Sequence, residues 1–307
     1  MLGKWSWPLL WLTVGVIVGG SLVRATGSGD GCGESWPRCE GSLFPLGGGT
    51  ETTIEFAHRA ATAFLGIVLV ILVVVAWRAG DAGRQVRRGL KWVGFFFIGE
   101  VVIGAVLVLT GWVDTDASIG RMIVVPLHLM NTFLLLAAVV LVVHVANGGT
   151  WPRLDLGRRS NQVGIAILGT ILVIGAFGGL NALADTLFPA DSVLEGLRAE
   201  FGDAAPVLVR VRVLHPMVAI AGGLGVVVAL RSAVFDPTGR VRRLANAAAI
   251  LVGVEATVGI INVALLTPVE VQLVHLLIAD MLWIAATLAV IRVVASTTEV
   301  SERMQPA

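Results

Sequence analysis

The fold is decided by segments such as Glu55–Trp77, which reads EFAHRAATAFLGIVLVILVVVAW. After its first five residues this segment is almost wholly apolar. A helix rises about 1.5 Å per residue, so about twenty such residues cross a hydrocarbon core that is roughly 30 Å thick. The segment is therefore predicted to cross a lipid bilayer, with Glu55, His58 and Arg59 close to one membrane surface.

Seven other segments have the same character, and the composition agrees with them. Of 307 residues, 56% are hydrophobic and 14% are charged, whereas a soluble domain carries roughly a quarter charged residues. The sequence therefore predicts an all-α integral membrane protein whose surroundings are the lipid bilayer, and the net charge of +1 gives no indication of a nucleic-acid partner. The eight predicted spans are Trp5–Val23, Glu55–Trp77, Leu90–Thr110, Met122–Val145, Gln162–Leu180, Leu208–Leu230, Leu244–Leu266 and Val269–Val293.

Lysine and arginine are concentrated in alternate loops, which predicts the orientation. The basic set includes Lys4, Arg84, Arg87, Arg88, Lys91, Arg158, Arg159, Arg231, Arg242 and Arg243. By the positive-inside rule both termini are predicted to be cytoplasmic, and the loop that contains Cys32 and Cys39 is predicted to lie outside. The expected location is the plasma membrane, with a multi-pass topology.

The sequence contains an internal repeat. Glu100–Gly104 (EVVIG) resembles Glu255–Gly259 (EATVG), and the histidines follow the same register, His58 with His215 and His128 with His275. The repeating unit is four helices, an even number, so both units are predicted to have the same orientation about a pseudo-twofold axis along the membrane normal. We expect two parallel-repeat four-helix bundles, formed by residues 1–150 and 151–307.

The four repeated histidines are the candidate functional residues. Each is predicted to lie within roughly two helical turns of the outer surface, so His58 can face His128 in one bundle and His215 can face His275 in the other. Paired imidazoles at one depth in a helical bundle are the arrangement that ligates a haem iron from both faces. A single membrane histidine is more often an interhelical hydrogen-bonding group, but four in a duplicated register favour haem.

Charged residues beside the histidines distinguish the two halves. Arg59 and Arg212 are candidate partners for haem propionates, although each could instead extend to the lipid headgroups. Glu55 lies one helical turn before His58, where the C-terminal half has Arg212 before His215. The N-terminal site therefore has a carboxylate that could manage protons. Glu100, Glu255 and Asp280 are predicted to lie within spans, and the pattern assigns them no chemistry.

Cys32 and Cys39 lie close together in the first predicted outer loop. Outside the cytoplasm such a pair is expected to be oxidised. Their spacing does not distinguish a structural disulfide from a redox-active dithiol.

In this order, these motifs resemble the haem A synthase family over nearly the whole chain. The matching motifs are Thr26–Gly29, Cys32, Trp36-Pro37, Cys39, Gly41, Glu55–Arg59, Leu127-His128, Leu214–Pro216 and Val274-His275.

The resemblance implies an oxidoreductase that converts the C8 methyl of haem O to the formyl of haem A by successive hydroxylations, for cytochrome oxidase assembly. It implies that His215 and His275 hold a permanent haem b, while His58 and His128 hold the substrate haem and Glu55 aids catalysis. A disulfide between Cys32 and Cys39 would stabilise the loop or help haem transfer from haem O synthase. The implied partners are haem O synthase, an electron donor and cytochrome oxidase assembly factors.

Three alternatives remain open from the sequence. A non-catalytic membrane cytochrome could pass electrons between quinone and a partner through two bis-histidine haems, but that function does not require Glu55 at one site alone. A thiol oxidoreductase would use the cysteines and would not need four histidines. A haem transporter is compatible with the repeat, although no span is predicted to be broken at mid-membrane.

Overall fold

The computed structural model describes residues 2–45, 47–202, 205–232, 235 and 239–303. Within these ranges the chain forms ten α-helices and no strand, apart from an isolated bridge between Cys39 and Ser42. The helices are α1 (Leu2–Ala25), α2 (Thr50–Arg78), α3 (Arg84–Leu109), α4 (Ile119–Ala146), α5 (Arg159–Leu187), α6 (Val193–Glu200), α7 (Val207–Val211), α8 (Leu214–Arg231), α9 (Gly239–Ala264) and α10 (Val269–Arg303).

Eight helical segments are long and apolar enough to cross a membrane, and they match the eight predicted spans. Six lie within single helices, the third consists of the 3-10 turn Gly80–Gly83 followed by α3, and α7 and α8 together form the sixth. Large aliphatic side chains cover their outer faces, including Val70, which is 64% exposed, and Val228, which is 70% exposed. Such apolar surface suits contact with lipid. The all-α fold with eight spans is confirmed, and the protein is a multi-pass membrane protein.

The sixth span differs from the prediction because it is not one continuous helix. It breaks at Arg212–Val213, between α7 and α8. Pro216 has no backbone N–H to donate to the carbonyl of Arg212. The N–H of His215 donates to that carbonyl instead, at 3.3 Å, in a tighter turn. The break therefore sets His215 at the start of a new helix.

The spanning helices pack in two rings. In the first, α1, α2, α3 and α4 contact one another in succession and α4 returns to α1; α5, α8, α9 and α10 do the same in the second. Helices α1 and α4 pack against α5 and α10. These contacts are the ones that two four-helix bundles require, while the pseudo-twofold axis and the boundary at residue 150 stay predictions.

Successive membrane spans alternate in direction. The connections that follow α1, α3, α5 and α9, which end the first, third, fifth and seventh spans, therefore lie at one end of the molecule. We call this end the Cys-loop end and define the Cys loop as residues 26–45, the segment that follows α1 and contains both cysteines. It is the end that the distribution of basic residues predicts to lie outside the cell.

Trp283 on α10 and Phe133 on α4 join the two rings. Their rings stack with centroids 5.3 Å apart, and the Trp283 indole N–H donates to the Phe133 carbonyl at 2.7 Å. Trp283 is only 1% exposed. Gly175 on α5 allows a close approach here, because a Cβ at that position would meet the Phe133 ring at 2.5 Å.

We expect Trp283→Ala to lower the free energy of unfolding by about 3 kcal/mol or more, because it removes a buried aromatic side chain and leaves a cavity. Thermal unfolding of the detergent-solubilised protein would measure the loss. Trp11→Ala is the matched control, since Trp11 is 53% exposed on α1. Equal losses from the two variants would contradict this account of the interface.

Candidate functional site

The structure brings the four predicted histidines together as two pairs. His215 and His275 face each other with ring centroids 6.4 Å apart and ring planes at 78°. His58 and His128 are likewise electrostatic neighbours across the first ring of helices. Each pair joins the second and fourth spans of its half, as the repeat predicts.

Each of the four rings is oriented with the same nitrogen inward. Nδ1 is buried in His58, His128, His215 and His275, while each residue as a whole is only partly buried. The accessible edge of each imidazole is therefore the one that carries Nε2.

The spacing of the second pair fits a haem iron between the rings. Two imidazoles that bind one metal from opposite sides, with metal–nitrogen bonds of about 2 Å, have centroids about 6 Å apart. The observed 6.4 Å between the His215 and His275 centroids agrees with this value. Accessible Nε2 edges and this separation are what axial ligation requires.

A glycine on a neighbouring helix lies against the ring of the first histidine of each pair, where a larger residue would collide with it. A Cβ at Gly20 on α1 would lie 2.9 Å from Cε1 of His58, and a Cβ at Gly178 on α5 would lie 3.1 Å from Cε1 of His215. Both helices are the first span of their half, so the two sites share this close approach as well.

Glu55 and Arg59 attach the Cys loop to α2. Glu55 is 3% exposed, and its Oε2 accepts the backbone N–H of Cys32 at 2.7 Å. Its Oε1 pairs with Arg59, which also donates to the carbonyls of Ser35 at 2.8 Å and Arg38 at 2.9 Å. Both Glu55 oxygens therefore have partners other than His58, and Arg59 binds loop carbonyls at the place where a propionate partner is predicted.

The two cysteines form a disulfide within this loop. Cys32 is 0% exposed and Cys39 is 1% exposed. The backbone N–H that binds Glu55 is that of Cys32. The Glu55 carboxylate is therefore hydrogen-bonded directly to one of the two disulfide residues.

Arg212 lies in a separate ionic cluster at the Cys-loop end. It is 3.3 Å from Asp185 Oδ1 and 3.9 Å from Glu200 Oε1, and it donates to the Phe188 carbonyl at 3.2 Å. Burial raises the pKa of the Glu200 carboxyl, and Arg212 acts in the opposite direction. A propionate would therefore share this cation with two carboxylates.

Arg24 ties the two halves together beside this cluster. From α1 it donates to the Ala182 carbonyl at 2.8 Å, to Thr186 at 2.9 Å and to Gln272 at 3.0 Å, on α5 and α10. This role could not be predicted from the sequence, because all three acceptors are uncharged and distant in the chain.

Two glutamates to which the sequence assigned no chemistry lie against the histidines. Oε2 of Glu100 is 3.0 Å from Nδ1 of His128, and Oε1 of Glu255 is 3.2 Å from Nδ1 of His275. The duplication of both residue types was the available signal. Asp280 is fully buried, and neither of its oxygens has a hydrogen-bond partner among the described residues.

The fold and the site define a class: an eight-span helical membrane protein with two histidine pairs near one end. The family comparison is more specific, because residues 3–287 match the COX15-CtaA family, described as cytochrome oxidase assembly protein. The chain belongs to this family, which confirms its resemblance to haem A synthases. Family membership supports a role in haem A synthesis.

The individual relatives carry two different names. A protein of Thermus thermophilus named protoheme IX farnesyltransferase is 41% identical over 287 residues, which cover 92% of this chain and 47% of that protein. Heme A synthase of Lysinibacillus sphaericus is 37% identical over 140 residues, 45% of this chain and 43% of that protein. Heme A synthase of Shouchella clausii is 33% identical over 131 residues, 43% of this chain and 41% of that protein. The chain thus matches about half the length of the relatives named here, or somewhat less.

We expect Arg59→Ala to release the Cys loop and expose the disulfide. Each lost hydrogen bond from a charged donor is worth about 1.5–3 kcal/mol, so reduction of the Cys32–Cys39 bond by dithiothreitol should become about tenfold faster or more. A maleimide gel-shift time course measures the rate. Arg38→Ala is the control, because only the backbone carbonyl of Arg38 binds Arg59. Equal rates in both variants would show that Arg59 does not hold the loop.

Proposed function

We propose that this protein is a haem A synthase, an oxidoreductase that converts the C8 methyl group of haem O to a formyl group by successive hydroxylations. The observation that carries the proposal is the duplicated histidine pair, with inward Nδ1 atoms in all four rings. The 6.4 Å separation of the second pair leaves space for an iron between the rings.

The two pairs would hold different haems. His215 and His275 would bind haem b as a resident cofactor, and His58 and His128 would bind haem O as the substrate. A haem supplies redox-active iron when it is bound. The helices supply apolar walls, and Gly20 and Gly178 keep space beside the first histidine of each pair.

Glu55 is the residue that distinguishes the proposed substrate site. It is buried one helical turn from His58, and it is oriented by Arg59 and by the Cys32 N–H. A carboxylate in this position, one helical turn from His58, could hold a proton for the reaction. The corresponding position of the second half has Arg212, which pairs with Asp185. This difference supports placing the reaction in the N-terminal half.

The farnesyltransferase name of the Thermus thermophilus relative concerns a protein more than twice as long as the matched region. That name does not assign farnesyl transfer to this chain. A protohaem farnesyltransferase makes a farnesylated haem, which is the kind of substrate proposed here. We therefore propose haem O synthase as a partner, together with an electron donor and cytochrome oxidase assembly factors, with the Cys loop on the outer face of the plasma membrane.

One observation favours a second candidate. The second histidine of each pair has a glutamate beside it, Glu100 beside His128 and Glu255 beside His275. Two equivalent haems would suit a membrane cytochrome that passes electrons between quinone and a partner.

Mass spectrometry of the extracted pigments separates the two candidates. The protein is purified in detergent after co-expression with haem O synthase. We expect haem b together with haem O, a hydroxylated intermediate or haem A. His58→Ala should lose only the farnesylated pigments, and His215→Ala should lose haem b.

His144→Ala is the matched control for these variants. Nε2 of His144 is 3.1 Å from the Thr150 carbonyl, so its loss should leave every pigment in place. Size-exclusion chromatography reports whether each variant is folded. Haem b alone in the unchanged protein would support the cytochrome, and the absence of any haem would contradict both candidates.

A further inference from the structure

In each histidine pair, a carboxylate lies beside Nδ1 of one ring, and in the described part of the chain no carboxylate lies beside Nδ1 of the other. Nδ1 of His128 lies 3.0 Å from Glu100, and Nδ1 of His275 lies 3.2 Å from Glu255. Among the described residues no carboxylate forms an ion pair with His58 or His215. Glu100 is only an electrostatic neighbour of His58, and the polar neighbour of His215 is the backbone carbonyl of Ile174. The asymmetry is therefore repeated within each half.

The carboxylate of Glu100 is itself held in place. Its Oε1 accepts from Asn131 Nδ2 at 2.6 Å, and its Oε2 accepts from the Thr132 hydroxyl at 3.0 Å. Asn131 also donates to the Phe96 carbonyl at 2.8 Å, one helical turn before Glu100. These contacts orient the carboxylate independently of the histidine, so it can in turn orient the His128 ring.

Glu255 has fewer contacts. Its Oε2 is buried and has no hydrogen-bond partner within the described ranges. His275 pairs with its Oε1, and the buried Asp280 is an electrostatic neighbour. Replacing Glu255 removes the interaction with His275 while breaking few others.

A histidine that binds a metal through one ring nitrogen commonly donates its other N–H to a carboxylate, which fixes the ring and makes the ligand nitrogen more basic. We propose that Glu100 and Glu255 are positioning residues that hold His128 and His275 with Nε2 toward the haem iron. His128 and His275 are then the firmly held ligands. His58 and His215 are the ligands that exchange more readily. This inference rests on the proposed haem sites.

The first experiment replaces Glu255 in the full-length protein. We expect Glu255→Leu to weaken haem b binding about 10–100-fold and to raise the midpoint potential of the haem, because a less basic imidazole stabilises ferric iron less. Glu255→Gln should have a smaller effect, since its amide oxygen can still accept the Nδ1 hydrogen bond. Glu270→Gln is the control, because Glu270 is exposed at the start of α10.

The second experiment asks which histidine remains on the substrate-site iron. Carbon monoxide is bound to the reduced protein loaded with haem O, and it is then removed by a light pulse to leave a five-coordinate haem. Resonance Raman spectroscopy records the iron–histidine stretch. If His128 is the retained ligand, Glu100→Leu should lower the frequency of this stretch, whereas a retained His58 would leave it unchanged.

The outcomes separate this inference from the proposed function. If the unchanged protein binds no haem, the proposed function fails. If it binds haem, but Glu255→Leu keeps the same affinity and potential, the positioning role fails alone. A purely structural role would lower thermal stability without changing the potential or the iron–histidine stretch, so an unfolding curve recorded on each variant completes the test.

Discussion

The structure depends on one constraint: the lipid offers no hydrogen-bond partner to a polar group within the hydrocarbon region, so the partner has to come from the protein. An unsatisfied polar group there costs several kcal/mol. Arg24 meets the constraint with acceptors on two other helices. Glu100 meets it with Asn131, Thr132 and His128. Asp280 is an exception, because neither of its oxygens has a partner among the described residues. The accessible Nε2 edges of the paired histidines are the groups that a bound metal would satisfy.

The apolar pattern was sufficient to predict the spans but not their local breaks or rotations. All eight spans follow from runs of apolar residues, whose only requirement is length. The break at Arg212–Val213 depends on a backbone donor that Pro216 lacks, which hydropathy does not record. Helices that are apolar on every side give little information about which face meets a neighbour. For this reason the sequence predicted that the histidines would pair but did not predict that Glu100 would contact His128.

Depth along the helix was, beside the duplication of both residue types, a second signal that could have predicted that contact. Glu100 lies nine residues before the end of α3 at Leu109, and His128 lies nine residues after the start of α4 at Ile119. Because the two helices are antiparallel and joined by a short loop, these residues lie at one level. The partners of Arg59 could not be found in this way. They are the carbonyls of Ser35 and Arg38, and the path of an irregular loop is not determined by residue type.

Apart from the break between α7 and α8, which has no counterpart in α2, the differences between the two halves lie at the Cys-loop end and not in the helical frame. Both halves have a histidine pair, a glycine beside the first histidine and a glutamate behind the second. Near His58, however, Glu55 binds a loop that is closed by a disulfide. Near His215, Arg212 binds two carboxylates. The repeated helices can hold two similar cofactors. The residues that could make one site reactive are those that differ between the halves, at the Cys-loop end. The loop that differs is therefore where specificity for the reaction would arise, and within the described residues Glu55 is the carboxylate that joins this loop to α2, the helix of His58.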